Sequence, residues 1–231
     1  MAEAIKKSSC ILCTRRCGAF QTLTPQQLEM LDKERFEIHY KAGETIIKQG
    51  THISDIISFN SGLAKMFFEE PDGSNLIIKI LSATELVGGP GVFYDNRHHF
   101  SLTALTDATT CLINVGQFKS ILLMNEKFTE EFIKDLSKNT IQVYERFATV
   151  TRKQMPGRIA DALIYFMNEV FKSSSFDIVL SRKELAQFTA MSLESVCRIL
   201  KDFADEKIIK LKGSKLDILD KERLFQISKN G

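Results

Sequence analysis

The chain of 231 residues holds no apolar run near the roughly 18 consecutive residues that a membrane-spanning helix needs. Its first ten residues, MAEAIKKSSC, lack the apolar stretch of about 7–15 residues found in a secretory leader. The sequence therefore predicts a cytoplasmic protein with no membrane partner. It also lacks an even set of cysteines. Cys10, Cys13, Cys17, Cys111 and Cys197 make five, which argues against a disulfide framework. Enzyme signatures are missing as well: there is no Gly-Lys-Ser/Thr phosphate loop, no Gly-x-Ser-x-Gly elbow and no His-Glu-x-x-His pair. With 4 histidines and no catalytic cluster, the sequence does not read as an enzyme.

What is present is ordinary for a globular protein: 44% hydrophobic and 26% charged residues. The length suits one large domain or two modest ones. The net charge of +2 is unevenly spread. Residues 152–231 carry 15 Lys/Arg against 11 Asp/Glu, and the remainder carries 16 against 18. A basic C-terminal third on a slightly acidic body suits nucleic-acid binding.

Residues 1–19 are rich in Cys and Lys/Arg and show no clear period. Thr24-Pro25-Gln26-Gln27 then reads as a helix start, with Thr24 as N-cap and Gln27 closing a capping box. From about residue 37 to 115, short apolar runs recur: Phe36–Tyr40, Thr45–Ile47, Ile53–Phe59, Leu63–Phe68, Leu76–Leu81 and Cys111–Val115. Gly43, Gly50, Gly62, Asp72-Gly73 and Gly88-Gly89 punctuate them, which predicts an all-β barrel or sandwich. A helical period follows, with Phe128, Phe132, Leu136, Ile141 or Val143, Phe147 and Val150 at spacings of three to four. This predicts one helix over about 126–153, long enough to suggest a seam with a second copy of the chain. A plain helix on its own barrel is the alternative. A further helix is expected over 158–171 and a short strand over 176–180.

Residues 181–220 are the most informative. Ser181 and Glu184 form a capping box for a short helix, 182–188. A three-residue turn, Thr189-Ala190-Met191, leads to Ser192, which caps a second helix over 193–205. Leu185, Phe188, Met191, Val196, Ile199, Leu200 and Phe203 would be buried, with Ala186 where the helices approach. This is a helix-turn-helix pattern. The second helix leaves Leu193, Glu194, Cys197, Arg198 and Lys201 on one outer face. Arg pairs with guanine O6 and N7, and Glu accepts from the amino group of cytosine. An i,i+4 surface salt bridge is the plainer reading of Glu194 and Arg198. Two apolar runs flanking Lys212-Gly213-Ser214-Lys215 predict a hairpin whose lysine tip touches phosphates, or else a solvated turn.

These blocks together resemble the cyclic-AMP receptor protein / fumarate-nitrate reductase (CRP/FNR) regulators over about residues 20–228. The resemblance rests on the glycine-punctuated strands, on Pro156-Gly157-Arg158-Ile159-Ala160 after the long helix, and on Glu184-Leu185-Ala186 through Ser192-Leu193-Glu194-Ser195-Val196-Cys197-Arg198-Ile199-Leu200. It implies an α+β chain in four segments: a Cys-rich segment 1–19, a β-roll sensor 20–125, a dimerisation helix 126–154 and a winged helix-turn-helix 155–231. It implies a homodimer that binds double-stranded DNA at an inverted repeat, with RNA polymerase as a further partner and a hinge near Gln154–Gly157. The DNA-binding residues would be Ser192, Leu193, Glu194, Cys197, Arg198, Lys201, Lys212 and Lys215. The effector pocket would lie at Gly88, Gly89, Arg97 and His99. Gly89 and His99 stand where the cyclic-nucleotide branch has Glu and Arg, so cyclic AMP is not the expected effector. Ala190 replaces a frequent Gly in the turn. Leu193 is apolar where the cyclic-AMP branch has Arg and instead resembles the anaerobic-regulator branch, and Cys197 takes that branch's Ser position.

Cys10-x2-Cys13-x3-Cys17 with Cys111 is similar to the thiolate set that holds an iron–sulfur cluster in the anaerobic regulators. Four thiolates also suit zinc, or thiol redox sensing. Lys6, Lys7, Arg15 and Arg16 are expected to lower the thiol pKa values. Alternatively, no metal binds and Cys111 is a small core residue. The adjacent His98 and His99 read as solvated loop residues. A second functional reading also stays open: a ligand- or redox-sensing module whose winged helix contacts protein rather than DNA.

Overall fold

The computed structural model describes residues 3–5 and 9–231. The chain forms two compact units, one of residues 1–69 and 80–141, the other of residues 70–79 and 142–231.

In the first unit a strand β1 (Glu3–Ile5) precedes a 3-10 turn at Gly18–Thr22 and helix α1 (Pro25–Lys33). Thr24 and Gln27 form the expected capping box, and Leu28 and Leu31 turn inward. Strands β2 (Phe36–Tyr40), β3 (Thr45–Ile47), β4 (Asp55–Ser61), β5 (Ala64–Phe68), β6 (Leu76–Leu81, of which residues 76–79 count with the second unit) and β7 (Glu85–Val87) follow, then helix α2 (Gly91–Tyr94) and strands β8 (Ser101–Ala104) and β9 (Ala108–Asn114). They make two sheets, β1-β2-β9-β4-β7 and β3-β8-β5-β6, antiparallel at every recorded pairing. The expected all-β reading of this region is met. Strands β7 and β8 had no sequence signal. The run Cys111–Val115 ends earlier than expected, because the Asn114 side chain accepts from the N–H groups of Gly116 and Gln117 and starts helix α3 (Val115–Met124).

Helix α4 (Glu126–Arg152) has 27 residues, about 40 Å at 1.5 Å each. Its first turns bury Phe128 and Phe132 among Phe20, Leu28, Leu31, Phe118 and Ile121. Farther along, Ile141, Val143, Tyr144 and Phe147 are exposed, as is Ile133 before them. These are apolar side chains facing water, on the helix that the sequence assigned to a seam.

The second unit continues with α5 (Met155–Tyr165), a π-type turn at Phe166–Val170, and β10 (Ser175–Asp177). Helix α5 starts three residues before the expected boundary, with Pro156 in its first turn, where a missing N–H costs nothing. Helices α6 (Arg182–Thr189) and α7 (Leu193–Asp205), strands β11 (Ile209–Lys212) and β12 (Lys215–Ile218), and α8 (Lys221–Asn230) complete it. Strand β12 lies between β10 and β11. The core is aromatic: Phe188 stacks on Tyr165 at 5.5 Å and packs on Phe166 at 5.3 Å, and Phe171 stacks on Phe176 at 4.8 Å.

Candidate nucleic-acid interface and thiol pocket

The helix-turn-helix is set by its caps. Ser181 Oγ accepts from the Glu184 N–H, and the Glu184 carboxylate accepts from the Ser181 N–H at 2.8 Å. Ala190 ends α6 at φ 51°, ψ 51°, a left-handed conformation that strains any residue with a Cβ. Ser192 Oγ then accepts from the Ser195 N–H and starts α7. Val196, Ile199, Leu200 and Phe203 are buried. Leu193, Glu194, Cys197, Arg198 and Lys201 are exposed, so one buried and one free face run along the first two turns.

Among the described residues, Glu194 and Arg198 make no ion pair with each other. Its own backbone N–H, and then the nearby Ser192 hydroxyl, favour the charged form of Glu194 and hold its pKa below the ordinary glutamate value. The plain salt-bridge reading is therefore not the arrangement found. On the wing, Lys212 and Lys215 face each other across the two-residue turn Gly213-Ser214, with Gly213 at φ 64°. Both lysines are exposed, as is Lys210. One contact had no sequence signal: Arg158 donates to the Lys153 carbonyl at 2.9 Å and to the Ala190 carbonyl at 3.2 Å. It ties the start of α5 to the turn before α7.

The cysteines lie in the first unit. Cys10, Cys13 and Cys111 line one cavity, together with Arg15, Arg16, Arg35, Ser58 and Asn60. Cys17 is 1% exposed and belongs to the adjoining core, against which Cys10 also packs. The Cys111 sulfur accepts from Arg35 Nη1 at 2.7 Å and from Asn60 Nδ2 at 2.9 Å. Arg35 in turn donates from Nε to Asp32 at 3.2 Å, and its Nη1 lies 3.5 Å from the Glu37 carboxylate.

Cys10, Cys17 and Cys111 do not have the lowered pKa values that their basic neighbours in sequence suggest. Burial pushes Cys10 and Cys17 up to about 12, and it also raises Cys111 against the pull of Arg35. Lys6 and Lys7 lie outside the described residues. Among the described residues, the cation hydrogen-bonded to a cysteine sulfur is Arg35, which has no signal in the sequence pattern. Among the described residues, no three His, Cys, Asp or Glu side chains stand in metal-holding geometry. The donor set nevertheless fits a thiolate-bound metal group in kind: three thiols share a cavity, the fourth is in the adjoining core, and one sulfur already receives two N–H donors of the sort that surround metal thiolates.

The four effector-pocket residues are dispersed among local contacts. Gly89 sits at φ 66° against the Phe100 ring. Gly88 lies against Ile56 and Val92. Arg97 donates to the Gly50 carbonyl at 2.9 Å, and His99 pairs with Asp95 at 3.1 Å. His98 is a buried residue, not the solvated loop histidine expected. Another polar cluster carried no sequence signal. The wholly buried Ser101 hydroxyl donates to the Glu69 carboxylate and accepts from the Gln49 N–H, and Lys48 pairs with the same carboxylate.

Two family models match the chain: a cyclic nucleotide-binding domain over residues 37–125 and a Crp-like helix-turn-helix domain over residues 157–227. The chain belongs to the CRP/FNR transcription regulators. As such it carries a helix-turn-helix DNA-binding domain. It is 24% identical over 213 residues to the CRP-like cAMP-activated global transcriptional regulator of Mycobacterium tuberculosis, spanning 90% of this chain and 95% of that protein. It is 26% identical to the anaerobic regulatory protein of Bacillus subtilis, over 76% of each. In fold it is similar to FixK2 from Bradyrhizobium japonicum, with a TM-score of 0.77 at 15% identity, covering 83% of this chain and 96% of that one.

Proposed function

We propose that this regulator works as a homodimer. The exposed Ile133, Ile141, Val143, Tyr144 and Phe147 of α4 would form its seam, since an apolar row of this kind is unfavourable in water. In this reading 1–19 and 20–125 sense the signal, 126–154 pairs the copies, and 155–231 docks on an inverted repeat. Helix α7 enters the major groove. Arg198 reads a guanine and Glu194 a cytosine, while Leu193, Cys197 and Lys201 complete the face. Lys212 and Lys215 hold phosphates, and RNA polymerase is a further partner. The hinge lies at Gln154–Gly157.

The observation that carries this reading is the free outer face of α7, where Glu194 and Arg198 are turned to solvent beside a capped N-terminus. The test is a mobility shift on an inverted-repeat promoter fragment. Arg198→Ala should weaken specific binding by about 5- to 150-fold, the equivalent of roughly 1–3 kcal/mol, while salt-sensitive binding to unrelated DNA persists. Equal binding of the same site by the variant would sink the assignment.

For the signal, the proposal favours the thiols over a cyclic nucleotide. Gly89 and His99 stand where the cyclic-nucleotide branch has Glu and Arg, so neither a carboxylate for the ribose nor a guanidinium for the cyclic phosphate is supplied there. Cys10, Cys13, Cys17 and Cys111 would hold an iron–sulfur cluster or zinc. The cluster would supply chemistry sensitive to oxygen or nitric oxide, whereas zinc would supply a redox-inert crosslink. Metal analysis of anaerobically purified protein separates them: about four irons per chain with a broad visible band, or about one zinc without colour. Gly88, Gly89, Arg97 and His99 are the proposed place for a small organic effector if neither metal is found.

A further inference from the structure

We propose that Arg35 is the positioning residue of the thiol pocket: it fixes the Cys111 sulfur and supplies the buried positive charge that a thiolate-bound metal group needs beside it. This rests on the reading above that the four cysteines hold such a group.

A guanidinium is expensive to bury, and Arg35 is only 2% exposed. Part of the cost is met by Asp32 and Glu37, whose side chains keep 25% and 15% of their exposure. Those carboxylates account for Nε and one direction of Nη1. They do not account for the 2.7 Å approach of Nη1 to Cys111. Nor do they account for Asn60, a second buried polar side chain, which brings its N–H to the same sulfur from β4. A cysteine that merely fills a strand needs neither donor. Strand register supports the convergence: Cys111 of β9 stands opposite Glu37 of β2 on one side and Ser58 of β4 on the other.

The neighbouring thiol joins the same network. Cys10 lines the same cavity as Arg35 and Cys111, near Asp32, the carboxylate that also takes Arg35 Nε. Arg35 is therefore linked to the sulfur on β9 directly, and to Cys10 through the cavity they share. Four thiolates around a dication would leave net negative charge in a pocket that already holds Asp32 and Glu37 at its edge. A forked, permanently charged donor is the side chain suited to offset it while still giving N–H bonds to sulfur. Lysine keeps the charge but loses the fork.

The test uses cobalt(II) as an optical probe, added to the reduced, metal-free, full-length protein under anaerobic conditions. Binding is read from the thiolate-to-cobalt charge-transfer absorption, and Cys111→Ser marks the signal that depends on that sulfur. Arg35→Gln should weaken cobalt binding by about 10- to 100-fold, and Arg35→Lys should restore part of the loss. Cobalt taken up as tightly by Arg35→Gln as by the unaltered chain overturns the role of Arg35 and leaves the metal reading intact. No thiolate–cobalt band in the unaltered chain, together with no iron and no zinc in the anaerobically purified protein, overturns both. Should Arg35→Gln not fold, Arg35→Lys and Asn60→Ala decide: each should weaken binding, and affinity unchanged in both rejects the proposal.

Discussion

The outer face of α7 and the pocket around Arg35 meet the cost of charge in opposite ways. On α7, Glu194, Arg198 and Lys201 stand in water, where a charge costs little to keep and is free to meet a partner. In the pocket, Arg35 is buried, and Asp32, Glu37 and Cys111 take up its charge and N–H groups. Substitutions on the first surface should therefore change binding and spare stability. Substitutions in the second should change stability first.

The sharpest break of that contrast is Arg35→Ala. Removing the guanidinium takes a cationic partner from the Asp32 and Glu37 carboxylates and a donor from Cys111. The loss should be about 3–5 kcal/mol of unfolding free energy in the metal-free protein, read by urea denaturation. A loss below about 1 kcal/mol would mean that the pocket is wetter than its burial indicates. The reciprocal measurement is on Glu194→Ala. Its unfolding free energy should stay within about 0.5 kcal/mol of the unaltered chain, while discrimination at the base it reads drops by roughly 1–3 kcal/mol.

Smaller effects refine the α7 side. Ala190 holds a left-handed turn at φ 51°, so Ala190→Gly should stabilise the second unit by about 1 kcal/mol in thermal unfolding, with DNA affinity unchanged or slightly higher. Lys212→Ala on the wing tip should weaken specific and unrelated DNA alike. It should also make the slope of log affinity against log salt shallower by about 1. An effect confined to one DNA sequence would reassign Lys212 from phosphate contact to base reading.

The same two regions explain what the sequence made legible. The helix-turn-helix is local: caps Ser181 and Ser192, their third-position partners, and the buried stripe all fall within 25 residues, so periodicity and capping were enough to place it. The outer face of α7 followed by subtraction. The pocket is not local. Arg35 and Cys111 are 76 positions apart, and Asn60 and Cys111 are 51 apart, so only the β2–β9 and β4–β9 registers bring them together. The cysteine spacing pointed to the thiols but not to the cation among them, and nearby lysines and arginines in sequence were a poor guide to it. Short strands were lost for a related reason. Three residues at Glu85–Val87 and four at Ser101–Ala104 carry too little alternation to register, and become strands because longer neighbours pair with them.

The smallest expected effect concerns His98, a buried polar side chain of the β-strand unit. Its Nδ1 has no hydrogen-bond partner among the described residues, and its backbone N–H is fixed to the Thr51 carbonyl at 2.9 Å. Burial, and then the neighbouring His52 and His99, hold its pKa below the ordinary 6.5. Because the folded value is the lower one, the unfolded chain binds the proton more readily. The stability that neutral His98 contributes is therefore complete above about pH 6.5 and is lost as the pH falls toward the folded value. Thermal unfolding followed from pH 7.5 down to about pH 5.5 should show a modest decline that His98→Phe flattens. Such a replacement leaves Arg35 and α7 untouched, so a parallel change in DNA affinity would show that the β-strand unit and the reading helix are coupled through this histidine. An unchanged affinity would leave the decline as a local matter of one buried, unpaired imidazole.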